Sequence, residues 1–206
     1  MTLAQRLAPR HGLLAQPLVR NSVLALAGTA LLALCARLSF PIPTTPVPVT
    51  MQTFAVLLLS ALYGPRLGAA TMLLYLAEGL AGLPVFSAGR SAWSPSSVPG
   101  LPVIVGPTAG YLLSWPLVAL LVGALAERGW DRSVRSALPA MLLGSLVILL
   151  CGFAWLAAAT WVLSGSVHVT ALLAASVLPF LPGDAIKLVL AALALPGGWA
   201  LLRDRS

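Results

Sequence analysis

The sequence predicts an all-α membrane protein, a bundle of six spanning helices with both termini in the cytoplasm. Three observations carry this. Hydrophobic residues make up 59% of the chain and charged residues 8%, against about 25% charged in soluble domains. Apolar runs recur at lengths near those a bilayer demands, with Pro- and Gly-rich breaks between them. The arginines gather on one set of alternating loops. The chain is too short for a membrane core plus a soluble domain, so residues 1–206 read as one integral membrane domain. Within it, residues 1–21 are a cytoplasmic segment and residues 22–202 the bundle.

The first helix is expected from Ser22 to Leu38. Arg6, Arg10 and Arg20 precede it as in a signal peptide, but no small-x-small cleavage site follows, so a retained helix is expected. Pro41, Pro43, Pro46 and Pro48 cannot continue a helix and make an extended loop. Helix two is expected from Val49 to Tyr63 and helix three from Leu67 to Ala81, joined by a tight turn at Gly64-Pro65-Arg66. Both are short, about 22–24 Å at the standard rise. A long Gly-, Pro- and Ser-rich loop covers Gly82 to Gly106. Helix four follows from Ala109 to Ala126, with a kink expected at Pro116. Helix five runs from Ser136 to Leu163. Thr170 to Val177 is apolar but too short to span. Helix six ends near Leu202, with Asp184 as its expected cap.

With six spans, Arg6, Arg10, Arg20, Arg66, Arg128, Arg132, Arg135, Arg203 and Arg205 share the side of the termini. Only Arg37 and Arg90 lie opposite, with Lys187 at a helix mouth. The positive-inside rule makes the arginine-rich side cytoplasmic. The net charge of +7 is then a topology signal, not a nucleic-acid footprint.

The same topology sends the remaining polar residues to the outer side. Gln52 opens helix two, Glu78 and Tyr75 share a face of helix three, Arg90 and Trp93 sit in the outer loop, and Tyr111 opens helix four. Asp184 and the only lysine, Lys187, open helix six. Ionisable groups in a membrane bundle mark a substrate path, although helix ends solvated at the headgroups are the competing explanation. Lys187 in a first turn is opposed by the helix dipole and needs an anion: Asp184, Glu78 or a ligand. A purely structural Asp184–Lys187 pair is an open alternative. On helix one, Ala25, Thr29 and Ala33 form a small-residue stripe that suits either packing inside the bundle or docking of a second protein.

Other chemistries lack their residues. The lone lysine follows Ile186, so no phosphate-binding Gly-Lys loop exists. The two histidines, His11 and His168, form no nucleophile or metal cluster with neighbours in sequence, and Cys35 and Cys151 lie inside apolar runs. Neither an enzyme nor a resident cofactor is expected.

Five motifs now stand in order: Thr50-Met51-Gln52-Thr53, Tyr63-Gly64-Pro65-Arg66-Leu67-Gly68, Gly82-Leu83-Pro84-Val85-Phe86, Gly106-Pro107-Thr108-Ala109-Gly110-Tyr111-Leu112, and Leu178-Pro179-Phe180-Leu181-Pro182-Gly183-Asp184 with Lys187. In this order they resemble the BioY family, the biotin-binding S components of energy-coupling factor (ECF) transporters. The resemblance covers Val23 to Leu202. It implies a six-helix bundle of the bacterial inner membrane that captures biotin at its outer face. It implies partners: a transmembrane coupling subunit, which helix one meets in this family, and two ABC-type ATPases. Biotin is cargo. Ala109 departs from the family's usual glycine, and the loop Ser87 to Val105 is Ser/Pro-rich where glycine is common.

Biotin needs an acceptor and a donor for its ureido ring, an apolar wall, and a cation for its carboxylate. Asp184 suits the first role, Gln52 or Tyr111 the second. Tyr75, Phe86 and Trp93 suit the wall, and Lys187 or Arg90 the cation. Another small anionic vitamin fits the same architecture. A membrane enzyme acting on lipid or peptide is the alternative from a different class.

Overall fold

The computed structural model describes residues 16–203. Arg6, Arg10, His11 and Arg205 lie outside the described residues. Among the described residues, five segments are long and apolar enough to cross a membrane: Pro17–Arg37, Gln52–Leu80, Ala109–Glu127, Val134–Ser164 and Val169–Gly197.

Helix α1 (Pro17–Arg37) starts ahead of the expected Ser22. Pro17 sits in its first turn, where a missing N–H costs nothing. Beyond α1, strand β1 (Ser39–Phe40) pairs antiparallel with β2 (Val49–Thr50) and clasps the Pro-rich loop between them. Val49, expected to open a helix, is therefore in a strand, and the next helix begins at Gln52.

Helix α2 (Gln52–Leu80) is broken at Gly64, whose φ of 78° and ψ of 178° are not helical. A positive φ favours glycine, which has no Cβ to clash. The Gln52 side-chain amide donates to the Tyr75 hydroxyl at 2.7 Å. A straight helix would hold those residues about 35 Å apart. The arms 52–63 and 65–80 thus fold back on one another, and the Gly64-Pro65 turn acts as the sequence suggests.

Helix α3 (Ala109–Glu127) runs on through Pro116. Helix α4 (Val134–Ser164) starts at Ser133, whose side chain accepts from the Ser136 amide at 3.3 Å. The short α5 (Val169–Ser176) and a 3-10 turn (Leu178–Phe180) lead into α6 (Leu181–Arg203). The α2 hairpin is the hub, packing against α1, α3 and α6, while α4 packs on α3 and α6.

Lipid gives helices no hydrophobic reason to associate, so close packing of small residues does the work. Helix α4 shows it. Ala137, Ala140, Gly144, Ser145 and Gly152 face inward, while Leu138, Leu142, Leu146 and Leu150 face outward. Helix α1 buries Ala25, Gly28, Thr29 and Leu32. A Cβ on Gly28 would come within 2.7 Å of Thr71 on the hairpin.

Candidate binding site

The cavity lies where α2, α3 and α6 begin, roofed by the loop 82–106. It has about 610 Å³ of open space, part of it continuous with solvent. Thr50, Gln52, Thr53, Phe86, Thr108, Tyr111, Trp115, Asp184 and Lys187 are among its walls.

Lys187 and Asp184 are its charged groups, and only 5% and 6% of them is exposed. Lys187 Nζ donates to Asp184 Oδ1 at 3.2 Å and to Thr53 Oγ1 at 3.1 Å. Ser145 Oγ donates to Asp184 Oδ2 at 3.3 Å. The network joins α6, α2 and α4. An ammonium has three donors and a carboxylate about four acceptor sites, so both groups retain capacity on the cavity side. Asp184 is not the cap of its helix. Leu178–Phe180 and Pro182 start the turn earlier, so α6 begins at Leu181 with Asp184 already inside the first turn. Its carboxylate serves Lys187 and Ser145.

Aromatic residues form the rest of the wall. Tyr111 donates to the Ser176 carbonyl at 2.6 Å, and its ring lies 5.8 Å from that of Phe180. The two contacts hold the approach to α6 against α3. The Tyr111 ring rests on Gly152, where a Cβ would lie 2.2 Å from Cζ. Phe86 rests in the same way on Gly79, at 2.2 Å. Tyr75 is fully buried behind this wall. It accepts from Gln52, donates to the Val85 carbonyl at 2.5 Å, and stacks on Trp115 at 5.6 Å. It fixes both a helix mouth and the roof.

The loop 82–106 is closed by its own backbone. Phe86 N–H donates to Arg90 O at 2.8 Å, Ala92 to Gly79 at 3.0 Å, and Ile104 to Ala92 at 3.1 Å. Arg37, at the end of α1, reaches over to the Pro84 carbonyl at 3.3 Å.

Of the expected site residues, the structure brings Gln52, Phe86, Tyr111, Asp184 and Lys187 together in the wall, with Tyr75 behind them. It places three others elsewhere. Glu78 accepts from Thr29 Oγ1 at 2.9 Å, between the hairpin and α1. Trp93 is 62% exposed and donates to the Leu80 carbonyl at 2.8 Å. Arg90 is half-buried in the roof, outside the wall. The α1 stripe also turns inward: Ala25 and Thr29 are buried against the bundle and Ala33 is half-buried. Of its two readings, this burial favours packing inside the bundle, where Thr29 bonds Glu78.

A model of the BioY family matches residues 5–204. The chain belongs to the BioY family. Among proteins similar to this BioY chain is the biotin transporter BioY of Rhizobium etli, 34% identical over 78% of this chain and 84% of that protein. The biotin transporter BioY of Thermotoga maritima is 35% identical over 80% of this chain and 87% of that one. A crystal structure at 2.1 Å of the S-component for biotin from an ECF-type ABC transporter superposes with a TM-score of 0.73 and 26% identity, covering 91% of this chain and 93% of that chain.

Sequence reasoning missed three residues in the site of this BioY chain. Thr53 adjoins Gln52 in a motif already singled out, and its bond to Lys187 explains its place there. Trp115 follows Tyr111 by four positions, the spacing of neighbours on one helix face. Ser145 carried no signal, being one serine in a long apolar helix.

Proposed function

We propose that this chain is the substrate-capturing S component of an ECF importer and that its cargo is biotin. The buried Lys187–Asp184 pair in the wall of the cavity carries the reading, joined to membership of a family whose relatives are named as biotin transporters. The role is transport, not catalysis.

Counting the two arms of the α2 hairpin separately, and α5 with α6 as one segment, supports reading the bundle as six spans. Arg20, Arg66, Arg128 and Arg135 cluster at the end opposite the cavity, which supports cytoplasmic termini and a cavity opening outward. The setting is then the bacterial inner membrane. The partners are a transmembrane coupling subunit and two ABC-type ATPases, which supply the nucleotide chemistry that this chain lacks.

In this reading Lys187 and Asp184 meet the polar groups of biotin, and Ser145 and Thr53 hold the pair in place. Gln52 and Tyr111 offer further polar contacts, and Phe86 and Trp115 form the apolar wall. Arg90 is a second cation, in the roof. Equilibrium binding of labelled biotin to the purified chain in detergent tests the reading. Saturable binding in the micromolar range or tighter is expected of a specific small-ligand site. No saturable binding, or equal displacement by an unrelated anionic vitamin, overturns it.

A further inference from the structure

A second cleft lies at the opposite end of the bundle, where α1 starts, the hairpin turns and α3 ends. It encloses about 1240 Å³ of open space, including part of the solvent at its mouth. Tyr63 builds the junction: its hydroxyl donates to the Leu24 carbonyl at 2.8 Å and ties α1 to the hairpin. Leu24, Leu67 and Ala70 make one wall apolar. Arg20 and Arg66, brought from two helices, line the same cleft with Glu127. Neither arginine has an ion pair or side-chain hydrogen bond among the described residues.

We propose that this cleft binds one membrane phospholipid, its phosphodiester between Arg20 and Arg66 and an acyl chain along Leu24, Leu67 and Ala70. Three features select that occupant. Guanidinium forks match phosphate oxygens. The cleft combines this cationic rim with an apolar wall, as a lipid combines head and tail. Two arginines and one glutamate sum to a single positive charge, which one phosphodiester neutralises and a doubly charged headgroup overshoots. Basic pockets between spanning helices take lipid headgroups in this manner. The site is separate from the biotin cavity and stands or falls independently of it.

The test uses the full chain, purified in detergent and titrated with phosphatidylglycerol, diacylglycerol or inorganic phosphate, with bound lipid counted by native mass spectrometry. Phosphatidylglycerol should bind saturably at one copy per chain, while diacylglycerol and inorganic phosphate should not compete. Arg20→Gln and Arg66→Gln should each weaken binding about tenfold, the effect of losing a charge-assisted hydrogen bond. Glu127→Gln should tighten it, so a gain is scored as well as losses. An unchanged melting temperature reports that each variant is folded. Phosphatidylglycerol binding unchanged in both arginine variants overturns the proposal. So does competition by inorganic phosphate, which marks a bare anion site, or by diacylglycerol, which marks a greasy groove.

Discussion

Lys187 Nζ lies 3.2 Å from Asp184 Oδ1, one turn along the same helix, and both side chains are more than nine-tenths buried. Breaking such a pair from one side costs about 3–5 kcal/mol, because the remaining charge stays buried without its partner. Replacing both with apolar residues costs far less. Lys187→Ala and Asp184→Asn are therefore each expected to lower thermal stability and to weaken biotin binding more than tenfold, the effect of leaving buried polar groups unpaired. The double variant Lys187→Met/Asp184→Leu should recover stability without recovering binding. Melting curves and labelled-biotin titrations of the three proteins check this. Recovery of binding in the double variant would make the pair purely structural.

Tyr75 joins Gln52 to the roof through one hydroxyl. Tyr75→Phe keeps the ring stack and removes both bonds, at about 1–3 kcal/mol for the groups left unpaired. Hydrogen exchange should rise in the loop around Val85 while the lower halves of the helices stay protected. Biotin affinity should fall with it. An unchanged exchange pattern at Val85 would show that the roof is held by its own backbone bonds.

Gly152 gives Tyr111 its seat. Gly152→Ala pushes a methyl into the ring, and overpacking of this kind costs about 1–3 kcal/mol. The ring must move toward the cavity or away from Ser176, so weaker biotin binding is expected. In a Tyr111→Ala background, which carries its own cost, the added loss from Gly152→Ala should be relieved. No relief in the double variant would place the clash elsewhere.

On α1, Thr29 is buried and bonded to Glu78. Thr29→Trp is therefore expected to disrupt the fold and to lower the yield of folded protein. Ala27 and Ala30 point outward on the same helix. Trp at either position should leave melting and biotin binding intact, and it tests docking of the proposed coupling subunit on the exposed face. Co-purification with that subunit is the readout; full recovery of the complex from both variants would move the docking surface off this face.

The sequence by itself determined the membrane setting, the order of the helices and the reversal at Gly64-Pro65. Composition and helix-breaking residues act locally, so each is legible without the fold. It also singled out Asp184 and Lys187, because charges at the mouth of an apolar helix need partners. Only the tertiary structure decided who those partners are. Sequence spacing shows which residues share a face of one helix, but not how that helix is rotated against its neighbours. That rotation turns Glu78 toward Thr29 instead of the cavity, brings Thr53 and Ser145 to the Lys187–Asp184 pair, and faces the small residues of α1 inward. In lipid the rotation follows from close packing, and close packing is a property of pairs of helices that no single helix contains.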